Sequence, residues 1–257
     1  MPKFSANLGY LCKDLPLPEA IHAAKNAGFD AVECHEPYQY PAEEVHEALK
    51  DTGFEMLGLN TRQGEPNLGE RGLAAVPGRE TDARNIIDEA IEYAFGIHCK
   101  NIHVIAGKTQ RTPDAEETFQ KNLTYAAQKA SNHGKTILIE PLNLLDNPGY
   151  HLSTLDEALV TLEAVNHPSL KIMFDCYHLQ IMQGNLLQRL QRHLPKIGHI
   201  QFANAPGRTE PDKGEINFPW LFAEIDRIGW NGFLGAEYIP LEKTEESLGW
   251  LQIFKRS

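Results

Sequence analysis

Four strand-like runs in the second half of the chain each close on a group able to carry a proton or hold a metal ion. They are Thr136-Ile137-Leu138-Ile139-Glu140, Leu170-Lys171-Ile172-Met173-Phe174-Asp175, Ile197-Gly198-His199-Ile200-Gln201 and Gly232-Phe233-Leu234-Gly235-Ala236-Glu237. A carboxylate ending a buried run is costly unless it is paired or bound to a cation. If the four runs are parallel neighbours, Glu140, Asp175, Gln201 and Glu237 converge at one mouth. Four oxygen donors with no sulfur and no imidazole suit a hard divalent ion, Mg2+ or Mn2+. Glu140 and Glu237 also present carboxylates to opposite sides of a bound carbonyl compound. One would take a proton from carbon and the other return it to the neighbouring carbon or oxygen.

The residues around these four sharpen the reading. Pro141 forces an abrupt exit after Glu140 and fixes where that carboxylate points. His178 follows Asp175 by three residues, one helical turn, so it reaches the same pocket as a neutral imidazole orienting a substrate hydroxyl. A helix-capping or core histidine is the plainer alternative. His199 and Gln201 share one face of their strand by the two-residue period, with His199 deeper. A substrate carboxylate needs a cation, and Lys108, Arg208, Arg62 and Arg71 are the candidates. Lys108 is the first choice because it follows its strand directly. Glu215 either orders the loop before it or lines the pocket.

Such residues need elements that deliver strand ends to one place. An amphipathic helix ending near Gly, Asn or His, then an apolar strand, recurs along the chain. Gly28 and Gly53 are examples, since glycine just past a helix takes the left-handed conformation that turns the chain back. Strands are expected at about 3–7, 29–34, 54–59, 100–106, 135–140, 170–175, 196–202 and 232–237, and a helix from about Arg79 to Gly96. Alternating strands and helices imply a parallel sheet. Eight such units in 257 residues imply a single (β/α)8 TIM barrel spanning residues 1–257. An open doubly wound sheet is disfavoured, because no glycine-rich phosphate loop follows the first strand. The longest loops, about 60–78 and 203–217, follow strand C-termini, where barrel enzymes build their sites. The first is rich in glycine and charge and reads as a lid or pocket wall.

A net charge of -11 argues against a nucleic-acid partner, which needs a basic face. The cysteines Cys12, Cys34, Cys99 and Cys176 form no CxxC pair, which favours reduced thiols in a cytoplasmic protein. Residues 1–7 read as a first strand rather than the apolar core of a secretion signal. No apolar run approaches the roughly 18 residues of a membrane span, so no membrane partner is expected. A homo-oligomer is left open.

Several motifs together resemble the hydroxypyruvate isomerase family of the xylose-isomerase-like TIM-barrel superfamily. They are Ile139-Glu140-Pro141-Leu142-Asn143, Phe174-Asp175-Cys176-Tyr177-His178, Gly198-His199-Ile200-Gln201, Lys213-Gly214-Glu215-Ile216-Asn217 and Gly235-Ala236-Glu237-Tyr238. Gly69-Glu70-Arg71-Gly72, followed by Pro77-Gly78-Arg79-Glu80, strengthens the match. The resemblance covers nearly the whole chain in the same order. It implies proton transfer by Glu140 and Glu237, and a divalent ion held by Glu140, Asp175, Gln201 and Glu237, whether or not the reaction requires it. It implies a small hydroxy-oxo acid or sugar-acid substrate and interconversion of hydroxypyruvate with 2-hydroxy-3-oxopropanoate. Related sugar epimerases carry histidine at the third ligand position, so Gln201 favours the hydroxypyruvate branch. The segment Asn60-Thr61-Arg62-Gln63-Gly64 departs from the enterobacterial version. Alternatives with the same site are a 2-oxo-tetronate isomerase and a ketose 3-epimerase. A metal-dependent nuclease would need more histidine ligands and a basic groove. A non-catalytic sugar-acid-binding barrel would not need both glutamates.

Overall fold

The structure, a computed structural model, describes residues 2–255. Its strands are β1 (Lys3–Asn7), β2 (Ala31–Glu33), β3 (Gly58–Asn60), β4 (Asn101–His103), β5 (Thr136–Ile139), β6 (Leu170–Asp175), β7 (Ile197–Phe202) and β8 (Phe233–Ala236). They form a parallel sheet in the order β2-β1-β8-β7-β6-β5-β4-β3. A bridge between Val32 and Met56 closes the ring, helped by Leu57 N–H donating to Val32 O at 2.8 Å and Cys34 N–H to Gly58 O at 3.1 Å. Eight parallel strands thus make a nearly closed barrel, as expected. No helix among the described residues is long and apolar enough to cross a membrane.

The crossovers are helical. They include α1 (Leu17–Ala27), α2 (Ala42–Thr52), α3 (Glu80–Gly96), α4 (Pro113–Ser131) and α5 (Leu155–Val165). Then come α6 (Cys176–Met182), α7 (Leu186–His193), α8 (Phe218–Arg227) and the C-terminal α9 (Gly249–Lys255). Gly28 and Gly53 close α1 and α2 with φ of 95° and 68°, the left-handed turn read from the sequence. Three strands are half the expected length or less: β2 keeps only Ala31–Glu33 of the expected 29–34, and the next two are cut back as well. β3 begins only at Gly58 and β4 stops at His103, so the chain leaves the barrel three residues before Ala106.

Both faces of a parallel barrel strand are buried, so alternation shows in residue identity rather than exposure. One face carries Phe4, Val32, Ile102, Ile137, Ile172, Ile200 and Leu234, which join the apolar cluster against the helices. The other is polar. His199 on β7 donates from Nε2 to Glu33 Oε2 on β2 at 2.6 Å. Those strands are separated by β8 and β1, so the bond must run through the barrel interior. Gly235 on β8 is level with Ser5 on β1 and Gln201 on β7. A Cβ there would run into Glu33 Oε1 and lie 2.9 Å from His199 Nε2. The missing side chain leaves the room that the Glu33–His199 pair occupies.

Gly235→Ala should therefore destabilise the fold by about 1–3 kcal/mol, the usual effect of overpacking. Thermal unfolding should show a Tm about 2–4 °C lower per kcal/mol for a chain of this size. An unchanged Tm would mean that Glu33 and His199 shift freely.

Candidate active site

The barrel register sets the polar residues side by side. Asp175, the last residue of β6, is level with Gln201 on β7. Glu140 follows β5 directly and Glu237 follows β8 directly. Pro141 then Leu142, whose N–H donates to Leu152 O at 3.0 Å, carry the chain sharply away from Glu140. Asp175 caps α6 by accepting from Tyr177 N–H at 2.8 Å, and this places His178 one turn on, buried at the same mouth.

Arg208 holds these groups together. It sits in the loop after β7 with φ of 57°, a left-handed conformation unusual for a side chain of this size. Its Nη2 donates to Asp175 Oδ2 at 3.1 Å and to Glu237 Oε2. Its Nε donates to the Glu237 carbonyl at 3.0 Å. Tyr10 and Tyr177 stack against the guanidinium, with ring centroids 5.0 and 5.3 Å away. Glu237 Oε1 accepts from His35 Nε2 at 2.9 Å and from Asn7 Nδ2 at 3.0 Å.

Three buried acids around one cation do not share its charge equally. Burial pushes Glu140 well above the usual carboxylate range, and Glu237 and Asp175 push it the same way. Asp175 rises to about 7, by burial first, with Arg208 opposing. Burial also acts to raise Glu237, but Arg208 and the His35 hydrogen bond outweigh it and bring Glu237 down to about 2. Glu237 is thus the ionised partner of Arg208, while Glu140 favours its protonated form.

His178 reports the character of the site. Asn143 backbone N–H and Nδ2 face its Nδ1 at 3.2 and 2.7 Å, and Asn143 Oδ1 is occupied by Asp146 N–H at 2.9 Å. Nδ1 therefore accepts, and Nε2 carries the hydrogen. Yet Arg208 Nη1 lies 2.9 Å from that Nε2. Two donors face each other there, a contact that an acceptor oxygen entering between them would relieve.

Unpartnered atoms decide whether these residues suit a divalent ion. Glu140 Oε1 and Gln201 Oε1 are buried without a hydrogen-bond partner among the described residues. Gln201 Nε2 donates to Glu33 Oε1 at 3.3 Å, so the amide oxygen is the atom left over. Glu140, Asp175 and His178 offer ligand atoms all within 4.8 Å of one another. The tautomer assigned above removes His178 Nε2 as a ligand. Oxygens of Glu140, Asp175 and Gln201 fit a hard cation. Glu237 stands outside that cluster, turned to Arg208, His35 and Asn7.

A cavity of about 140 Å³ opens at this mouth, lined among others by Tyr10, His35, Asn60, His103, Arg208 and Glu237. Of the expected cations, Arg208 and Arg71 line it, Arg71 from the exposed tip of the 60–78 loop. Lys108 does not. β4 ends at His103, Gly107 turns the chain at φ 103°, and residue 108 pairs with Tyr150 as an exposed side chain. Arg62 pairs instead with Glu89 at 2.7 Å and stacks on Tyr38. Glu215 is exposed and accepts from Gln180 Nε2 at 3.1 Å. The 60–78 loop is a wall rather than a free flap, since Ala75 N–H donates to Ala106 O at 2.7 Å and Leu73 to Ala75 are buried. Sequence reasoning missed Asn7, Glu33, His35 and His103. The first three end or follow short strands, and His103 ends β4; polar residues at strand ends were the available signal.

Glu140→Gln should stabilise the chelated, metal-free protein. A carboxyl whose folded pKa is raised contributes nothing below its unfolded value, near 4.3. As pH rises through that value the unfolded chain releases its proton and the folded one retains it, so stability falls. The Tm gain of Glu140→Gln over wild type should therefore be larger at pH 8 than at pH 4. An equal or reversed gain would show Glu140 ionised and satisfied in the fold.

Comparison with known proteins agrees with this architecture. A model of the xylose isomerase-like TIM barrel matches residues 21–254. A 2-oxo-tetronate isomerase of Pectobacterium atrosepticum is 42% identical over 255 residues, covering 98% of this chain and 97% of that protein. A hydroxypyruvate isomerase of Escherichia coli is 38% identical over 258 residues, covering 99% of this chain and 100% of that one. The crystal structure of a Brucella melitensis protein described as AP endonuclease, family 2, superimposes with a TM-score of 0.95 at 38% identity, over 99% of both chains. With a model matched across most of the chain and relatives aligned end to end, this protein belongs to the xylose isomerase-like TIM-barrel family.

Proposed function

We propose that this protein is an isomerase interconverting hydroxypyruvate and 2-hydroxy-3-oxopropanoate. The observation that carries the reading is the pair Glu140 and Glu237, which follow β5 and β8 and line one small cavity. One carboxylate takes a proton from C3 of hydroxypyruvate, leaving an enediolate. The other returns a proton to C2, while the hydroxyl proton passes from O3 to O2. A divalent ion, Mg2+ or Mn2+, at Glu140, Asp175 and Gln201 would supply charge to the enediolate oxygens when bound.

The donor–donor contact between Arg208 Nη1 and His178 Nε2 favours an anionic substrate, because a carboxylate oxygen satisfies both. The cavity volume, below the about 300–1,000 Å³ of drug-sized sites, favours a few carbons over a hexose. A net charge of -11 disfavours the nuclease reading that the Brucella relative's description raises. The second reading is a 2-oxo-tetronate isomerase, favoured by the 42% identity to the Pectobacterium enzyme. Its substrate differs by one hydroxymethine unit and asks nothing else of the site.

Turnover of hydroxypyruvate, 2-oxo-tetronates and neutral ketoses, with and without chelator, separates these readings. Hydroxypyruvate should react fastest, and neutral ketoses on the order of a hundred-fold more slowly, the worth of a charge-assisted anchor. A ketose reacting faster than either oxo acid would overturn the proposal, and a preferred 2-oxo-tetronate would select the second reading. Glu140→Gln and Glu237→Gln should each leave less than about a tenth of the rate, a loss above roughly 1.4 kcal/mol. Loss of activity on chelation would show that the reaction needs the ion.

The carboxylate anchor is separable by substitution. Arg208→Met should lower kcat/KM for hydroxypyruvate about ten- to a hundred-fold. Lys108→Met, outside the cavity, should leave it within about two-fold, inside the range of surface changes. The opposite ranking would return the anchor to Lys108.

A further inference from the structure

One buried polar atom at the mouth has no use in the scheme above. His103 ends β4, is 4% exposed and lines the cavity. It is level with Asn60 at the end of β3, and its Nδ1 lies 3.3 Å from Asn60 Oδ1. An amide oxygen only accepts, so Nδ1 carries the ring hydrogen. Glu140 Oε2 lies 3.6 Å from the same nitrogen, too far for a good hydrogen bond. The other nitrogen, Nε2, is then a lone-pair acceptor, buried and without a partner among the described residues. A buried acceptor left unpaired is unfavourable unless a donor arrives with the ligand.

We infer that His103 is a specificity-determining residue whose Nε2 accepts a hydrogen bond from the hydroxyl next to the substrate carbonyl. The inference rests on the isomerase reading and deepens it. A neutral acceptor has nothing to offer a carboxylate, whose oxygens also only accept. It therefore selects the hydroxyl end of the substrate. β4 lies four strands from β8 in the ring, so His103 faces the mouth from the side opposite Glu237 and its partner Arg208. The two ends of a small hydroxy-oxo acid are thereby told apart. The carboxylate goes to the guanidinium and the hydroxyl to the imidazole, which leaves the two reacting carbons, C2 and C3, between Glu140 and Glu237. A substrate bound the other way round would set lone pair against lone pair at His103.

The test compares hydroxypyruvate with pyruvate, which keeps the carboxylate and carbonyl but lacks the hydroxyl. In His103→Phe, kcat/KM for hydroxypyruvate should fall roughly ten-fold or more, the effect of a lost acceptor. The inhibition constant of pyruvate should stay within about two-fold, because pyruvate never used that acceptor. His103→Gln, whose amide oxygen can accept, should recover part of the loss, and both variants should unfold near the wild-type Tm. An equal weakening of pyruvate would make His103 structural, and unchanged kinetics on hydroxypyruvate would show no contact at all; either overturns the inference. If the wild-type protein does not turn hydroxypyruvate over, the isomerase reading fails first. The two acids are then compared as ligands, where a wild-type preference for hydroxypyruvate must disappear in His103→Phe, and no wild-type preference would equally overturn the inference.

Discussion

Everything at this mouth is arranged around one guanidinium among three buried carboxylates. Arg208 binds Asp175 and Glu237 from a loop, and the barrel delivers those acids from two different strands. Removing three acids from water is unfavourable, and a single cation cannot ionise all of them in a low dielectric. The result is an uneven division of charge, with Glu237 firmly ionised and Glu140 resisting ionisation. Much of the surrounding architecture follows from holding that cation. Tyr10 and Tyr177 stack on it, Arg208 accepts a left-handed backbone, and Asn7 and His35 take up the far oxygen of Glu237.

A second polar layer supports the first from inside the barrel. Glu33 accepts from His199 Nε2 and from Gln201 Nε2. A carboxylate has no hydrogen to donate when ionised, so it can face only the nitrogen side of the Gln201 amide. The orientation of the amide oxygen is thus set one layer below the site, by a residue that is not itself at the cavity. Outer partners commonly orient metal ligands in this way. Gly235 is the geometric condition for it, since any side chain there would displace Glu33.

The barrel was legible because alternating strands and helices leave a parallel sheet few alternatives, and Gly28 and Gly53 mark helix ends by conformation alone. Glu140, Asp175, Gln201 and Glu237 were legible because carboxylates and amides contrast with the apolar runs they end. Lys108 misled because the stretch 100–106 suggested a strand more than twice as long as the three residues of β4. Only Asn101–His103 belong to the barrel, and the remaining apolar residues pack under the wall loop. Glu33, His35 and His103 were hidden for the converse reason. Glu33 ends a strand of three residues with no long apolar run before it, and His103 lies inside a stretch whose apolar residues carry on past the end of β4. The role of Arg208 as a shared counter-ion depends on a loop conformation, which periodicity does not encode.

The barrel's closure has a consequence for the chemistry. Most neighbouring strands share a ladder of register pairs, but β2 and β3 meet at the Val32–Met56 bridge and a few flanking hydrogen bonds. That seam is the least regular line in the ring, held by backbone hydrogen bonds from Val32 to Glu55, Leu57 to Val32, Cys34 to Gly58 and Asn60 to His35, rather than by a register ladder. β2 is also the strand that carries Glu33 and leads directly into His35. Any parting of the seam displaces the floor beneath Gln201 and the wall beside Glu237 together. Closure of the cylinder and the geometry of the site are therefore tied through the same short stretch, Glu33 to His35.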